Sequence, residues 1–144
     1  MCGIAGYFEL ERTSSRCAVS LETMLERLRH RGPDDSGIWR NKRAALGHTR
    51  LAIIDVPGGH QPIANEDGSV HIVYNGEIYN FLDLRPSLMH RHQLRTRTDT
   101  EVVVHSYEDH GPDCVKLFDG MFAFALIDGD ELFLARDPLG VKPL

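Results

Sequence analysis

The stretch Met121-Phe122-Ala123-Phe124-Ala125-Leu126-Ile127-Asp128-Gly129-Asp130-Glu131-Leu132-Phe133-Leu134-Ala135 decides the architecture. Its first seven residues are continuously apolar, Asp128-Gly129-Asp130 is a hairpin turn signal, and Leu132 to Ala135 is largely apolar again. A strand that is apolar on both faces must be covered on both faces. The tight turn makes the pair antiparallel, so the covering layers are another sheet on one side and helices on the other. A four-layer αββα sandwich satisfies this requirement, and so does a plain α/β layer. Periodicity does not choose between them.

Working outward, Thr98 followed three residues later by Glu101 has capping-box spacing. The helix it opens runs through Val102, Val103, Val104 and Tyr107 towards Gly111-Pro112. Asn80 to Met89 has helical composition interrupted by Pro86, which predicts a kink or a late start. Ser69 to Tyr79 and Ala44 to Asp55 read as strands, separated by the turn-rich Pro57-Gly58-Gly59 and Asn65-Glu66-Asp67-Gly68. Nearer the start, Ser20 is an N-cap for a helix with Leu21, Met24, Leu25 and Leu28 on one stripe, ending by Gly32-Pro33. Gly3 to Leu10 reads as a short strand.

The chain has 144 residues, enough for one domain with a single sizeable core. A formal charge of −5 argues against nucleic acid as a partner, because phosphate binding needs a basic surface. The basic stretch His90 to Arg97 reads as a solvated loop, with a local anion site as the alternative. Three cysteines, Cys2, Cys17 and Cys114, form an odd set without metal-ligand spacing, which fits a reducing compartment. No apolar run approaches the ~20 residues that span a bilayer, and Met1 to Gly6 lacks signal-peptide character, so no membrane partner is expected and a cytoplasmic enzyme is. The eight histidines show no HExxH-type spacing, so they read as structural or solvated and no metal is expected.

Four groups of residues could carry chemistry. Cys2 becomes the first residue if Met1 is removed, which places a thiol and a free α-amine on one residue. An α-amine titrates near ~7.7–8.0, so it can accept the thiol proton at neutral pH. Asn75-Gly76 is a turn signal, or an oxyanion hole in which the Asn75 side-chain amide and the Gly76 N–H converge on a developing oxygen. Arg50 and Asp99 suit the α-carboxylate and α-ammonium of an amino acid, with Glu77 as a second anion; ordinary ion pairs are the alternative. Arg31-Gly32-Pro33-Asp34-Asp35 reads as a surface turn or a lid over a pocket.

Taken together, Met1-Cys2-Gly3-Ile4-Ala5-Gly6, His30-Arg31-Gly32-Pro33-Asp34, Arg50-Leu51-Ala52-Ile53-Ile54-Asp55 and Tyr74-Asn75-Gly76-Glu77-Ile78-Tyr79-Asn80 resemble the glutaminase domain of class II glutamine amidotransferases. Thr98-Asp99-Thr100-Glu101, Asp119 to Ala125 and Arg136-Asp137-Pro138-Leu139-Gly140 extend the resemblance through nearly the whole chain, and it is closest to the asparagine synthetases. The resemblance implies an α+β fold, the four-layer αββα sandwich of N-terminal-nucleophile hydrolases. It implies Cys2 as nucleophile, and Asn75 with Gly76 as oxyanion hole. Arg50, Glu77 and Asp99 would hold L-glutamine, with backbone of Leu51 and Ile53 lining the site. Glutamine would give glutamate and ammonia, the ammonia serving ATP-dependent conversion of aspartate to asparagine. No cofactor is implied for this domain; ATP and Mg belong to a synthetase domain in cis that this stretch lacks. Residues 1–144 therefore read as a glutaminase domain incomplete at its C-terminus, with a homodimer among its expected partners. The competing readings are the glutaminase of another class II amidotransferase and a truncated, inactive domain.

Overall fold

The computed structural model describes residues 1–10 and 20–144; Cys17 lies outside the described residues. Gly3–Phe8 (β1), Asp35–Arg40 (β2) and Ala44–Arg50 (β3) form an antiparallel sheet in the order β1-β3-β2. Ile63–Ala64 (β4), Val70–Ile78 (β5), Gly120–Asp128 (β6) and Glu131–Arg136 (β7) form a second, ordered β4-β5-β6-β7. The helices are Leu21–Leu28 (α1), Phe81–Leu88 (α2) and Asp99–His110 (α3), with short 3₁₀ segments at Arg29–Arg31 and Gly111–Leu117. Among the described residues no helix is long and apolar enough to cross a membrane.

The double-sided apolar run explains the layering. β5 and β6 pair without interruption from Val70↔Asp128 to Ile78↔Gly120, and Gly129-Asp130 turns β6 into β7. Even-numbered side chains of these strands, Ile72, Tyr74, Phe122, Phe124 and Leu126, pack against Val103, Val104, Tyr107 and Cys114 on the helical side. Odd-numbered Val73, Ala125 and Ile127 pack against Ala44, Leu46, Phe8 and Trp39 of the other sheet. α1 covers the far side of that sheet, where its Leu21 and Leu25 lie against Gly47. The order is therefore helix, sheet, sheet, helices, and the αββα alternative holds over the plain α/β layer. Burial of one such side chain stabilises by ~1.5–3 kcal/mol, so the two cores dominate the fold's energetics.

The two sheets are also tied by His48 of β3, whose buried Nε2 lies 3.1 Å from the Tyr74 carbonyl of β5. Burial pushes the imidazole pKa down to about 4, against this hydrogen bond, so the ring is neutral and donates from Nε2.

Several local expectations are corrected. The strand expected over Ala44 to Asp55 ends at Arg50, because the next residues are held as a loop. There, Asp34 Oδ2 accepts from Ala52 N at 2.9 Å, and Asp55 adopts φ 48°. β2 has no counterpart in the sequence reading, although its alternating burial is the half-exposed pattern of an edge strand. Helix α2 does not start late; it begins at Phe81 and contains Pro86. The capping box at Thr98 is half formed. Thr98 Oγ1 accepts from Glu101 N at 3.3 Å, but the Glu101 carboxylate accepts from Arg95 N and Thr96 N at 2.6 and 2.8 Å. The stretch from His90 to Arg97 is the expected solvated loop, with Arg91, Arg95 and Arg97 exposed, and it is tied down where Arg91 pairs with Asp109 at 2.7 Å and Arg95 donates to the Glu66 carbonyl.

Candidate functional site

A cleft of about 90 Å³, measured with Met1 in place, opens where β1, β3, β5 and the start of α3 meet. All eight residues singled out from the sequence line it: Cys2, Arg50, Leu51, Ile53, Asn75, Gly76, Glu77 and Asp99. They come from positions nearly a hundred residues apart, and β3 and β5, facing each other across the two sheets, bring them together.

Cys2 sits immediately before β1, whose register on β3 sets it beside the residue that follows Arg50. Its Sγ accepts from Leu51 N at 3.4 Å and lies 3.7 Å from the Leu51 carbonyl, while Arg31 Nε donates to the Cys2 carbonyl at 3.0 Å. Asp34 N donates to the Arg50 carbonyl at 3.0 Å. The Arg31-to-Asp34 segment thus ties down the backbone of Cys2 and Arg50. It does not line this cleft, which corrects its reading as a lid.

Asn75-Gly76 is not a turn; both residues lie within β5. Phe122 exchanges backbone and side-chain bonds with Asp137, on its side away from β5. In an antiparallel ladder this places the β5–β6 hydrogen bonds at odd-numbered β5 residues. Even-numbered β5 residues therefore direct their N–H groups away from β6. Tyr74 N donates to Gln61 Oε1 at 2.7 Å and Ile78 N to Asp99 Oδ2 at 3.0 Å. Gly76 lies between them on the same edge, beyond the reach of the two-residue β4, which pairs with His71 and Ile72. Its N–H is aimed into the cleft. A Cβ at Gly76 would stand 2.5 Å from the Met121 carbonyl, so no other residue permits this approach of β5 to β6.

Arg50 is buried, and its guanidinium donates to the carbonyls of Val56, Ile54 and Asp55 at 2.8, 3.0 and 2.8 Å. Three of its five N–H donors are thereby committed to the loop, which leaves two for a ligand. Gly59 makes room for it, since a Cβ there would stand 2.2 Å from Nη2. Asp99 is not the surface cap: Thr98 caps α3, and Asp99 is buried with Oδ2 accepting from the Tyr74 hydroxyl at 2.7 Å. Burial pushes the Asp99 carboxyl above its ordinary range, opposed by these hydrogen bonds. Burial, together with the Asp99 charge, pushes the Tyr74 hydroxyl well up, so it remains a donor.

Gln61, Tyr74, Thr98, Thr100, Met121 and Lys142 also line the cleft and escaped the sequence reading. A tyrosine inside an otherwise apolar strand signals a buried hydroxyl in need of a partner, which would have found Tyr74. Lys142 is 6% exposed, with its backbone clamped by Asp137 Oδ2 and Arg136 Nε. It follows the Arg136-to-Gly140 motif by two residues, and nothing in its local pattern announces burial.

Cys2 and Asn75 also line a second, apolar cavity of about 630 Å³ that runs along β1 to Leu132, Leu134 and Leu144.

A family described as a glutamine amidotransferase domain matches residues 1–144. An asparagine synthetase [glutamine-hydrolyzing] 3 of Bacillus subtilis is 44% identical over 99% of this chain and 24% of its own length. Its namesake in Arabidopsis thaliana is 45% identical over 100% of this chain and 25% of its own length. The chain thus spans about a quarter of the length of these curated relatives. Among solved structures, the allosteric regulatory enzyme of purine biosynthesis matches 70% of this chain and 25% of its own, with 28% identity and a TM-score of 0.58. Glutamine phosphoribosylpyrophosphate amidotransferase of B. subtilis covers 99% of this chain and 38% of its own at a TM-score of 0.69; at 24% identity it supports the fold alone.

Proposed function

Since the chain belongs to the glutamine amidotransferase domain family, we propose that its cleft hydrolyses the side-chain amide of L-glutamine with Cys2 as nucleophile. The observation that carries this reading is the convergence of a thiol, a strand N–H turned away from β6, a buried arginine and a buried aspartate on one cleft. Removal of Met1 frees the Cys2 α-amine, which takes the thiol proton. The sulfur attacks the amide carbon, and the developing oxyanion is held by the Asn75 side-chain amide and the Gly76 N–H. The protonated amine then donates to the departing nitrogen, ammonia leaves, and a γ-glutamyl thioester remains. Water adds to the thioester, the thiol is released, and glutamate is the second product.

Arg50 receives the substrate α-carboxylate with its two uncommitted donors, and Asp99 with Glu77 receives the α-ammonium. The backbone of Leu51 and Ile53 forms the wall. Ammonia is small and uncharged, so the apolar cavity shared by Cys2 and Asn75 offers it an exit. The relatives' names, glutamine-hydrolysing asparagine synthetases, support asparagine formation by a synthetase region in cis as the use of that ammonia, and ATP and Mg are proposed for that region and not for residues 1–144. This unit itself uses no cofactor.

The test is glutamate release from L-glutamine by two forms of the chain, one starting at Cys2 and one retaining Met1, each verified by intact mass. The form starting at Cys2 hydrolyses glutamine and the Met1 form does not. Equal rates from both would sink the amine-as-base mechanism.

A further inference from the structure

Away from the cleft, Glu66 in the turn before β5, His92 in the segment after α2, and His105 and Glu108 on α3 converge. One ligand atom from each can be chosen so that all four lie within 4.8 Å of one another. We propose that these four side chains form a binding site for a divalent transition-metal ion of the zinc class, which clamps the segment leading into α3. This goes beyond the glutaminase reading and does not rest on it.

The tautomer of His92 is set by its neighbours. Its Nε2 lies 3.2 Å from Asp109 Oδ1, and Asp109 is held in turn by Arg91 at 2.7 Å. That contact takes the Nε2 proton, so in the neutral ring Nδ1 carries a lone pair. The lone pair faces Glu66 Oε1 at 3.5 Å and Glu108 Oε2 at 3.6 Å, too far for hydrogen bonds and turned towards two anions. A positive charge between them is what such an arrangement calls for. A carboxylate on the far nitrogen of a histidine is also the usual second layer behind a metal-bound imidazole.

His105 completes the set. Its ring is 1% exposed and lies 4.6 Å from that of His92 between centroids. Its Nδ1 stands 2.6 Å from Glu108 Oε2 and 3.8 Å from Glu66 Oε2. A tetrahedral ion with bonds of ~2.0–2.1 Å needs ligand atoms about 3.3 Å apart; three of the histidine–carboxylate distances, 3.5 to 3.8 Å, lie a little above that value, and the fourth, 2.6 Å between His105 Nδ1 and Glu108 Oε2, is a hydrogen bond that the ion would replace. Two imidazoles with two carboxylates suit zinc and its neighbours better than magnesium or calcium, which favour all-oxygen sets. The carboxylates are held in place: Gln93 N donates to Glu66 Oε1 at 2.6 Å and Asn65 Nδ2 to Glu108 Oε1 at 2.7 Å. Both glutamate side chains keep 21–28% exposure, so an ion has a route in.

The full chain, freed of metal by chelation, is titrated with Zn²⁺ by calorimetry and with Co²⁺ by absorption spectroscopy. The expected result is one equivalent bound, with the intense visible bands of four-coordinate Co²⁺. Glu66→Gln and His92→Gln should each weaken binding at least a hundredfold. Asp109→Asn, behind the ligands, should weaken it roughly ten- to a hundredfold. Glu66 is in a surface turn, so its variant folds even if His92→Gln does not. Absence of stoichiometric uptake by the unsubstituted protein would overturn the site. So would uptake that Glu66→Gln leaves unchanged, because the ion would then sit elsewhere. Stabilisation of the metal-free cluster by acid alone, with no uptake, would show that protons fill it instead.

Discussion

Cys2 and Cys114 are the same side chain in opposite surroundings. Cys114 is wholly buried among Tyr107, Phe122 and the other apolar side chains under α3, and burial pushes its thiol up to about 12. Cys2 is half-buried at the rim of the cleft, with Leu51 N donating to its sulfur and Asn75 and Gly76 lining the same space. A thiol reacts as thiolate, so the first is chemically silent at neutral pH and serves as a small apolar residue. On the proposed reading, what separates nucleophile from core filling is the set of groups that the fold places around the sulfur.

The largest expected effect is Cys2→Ala, which should reduce glutamine hydrolysis to background in an initial-rate assay. Cys114→Ala should leave kcat within about twofold of the unsubstituted protein. A comparable loss from both would break the contrast. Next comes Asn75→Ala, which removes one oxyanion donor without touching the thiol. It should lower kcat by about 10²–10³-fold with little change in KM. A change confined to KM would make Asn75 a substrate contact instead.

Asp99→Asn should follow, raising KM for glutamine. Loss of a charge-assisted contact of ~1.5–3 kcal/mol is worth roughly ten- to a hundredfold. The pH dependence gives a second readout. Ammonium binding needs ionised Asp99, and burial raises its pKa above the ordinary ~3.9. KM should therefore rise as pH falls through that raised value, starting at a higher pH than an exposed aspartate would give, and the rise should vanish in Asp99→Asn. The smallest effect on activity belongs to Cys114→Ser. A hydroxyl in that apolar setting costs ~1–3 kcal/mol, so the thermal midpoint falls while KM stays constant.

The layers of the fold were legible in one element, the run Met121 to Ile127, because covering two apolar faces leaves few architectures. The residues singled out from the sequence line one cleft, but the cleft's geometry was not legible. Asn75-Gly76 carries a turn signature, yet β6 pairing holds it in a strand, and that strand edge is what exposes the Gly76 N–H. Arg50 was marked as a charge in need of partners, but the partners are three carbonyls of its own loop, which no pattern specifies. Tyr74 and Lys142 enter the cleft through register and chain reversal, both long-range properties. The Glu66, His92, His105 and Glu108 cluster joins three segments, and only its His105–Glu108 pair, three residues apart on α3, has a spacing that a helix alone brings together.

The most direct test of the central claim is labelling with a glutamine analogue bearing an electrophile at the side-chain amide position, followed by peptide mass mapping. Folded protein starting at Cys2 should carry one label, on Cys2, and excess glutamine should protect it. Label on Cys17 or Cys114 with Cys2 unmodified would contradict the assignment of the nucleophile.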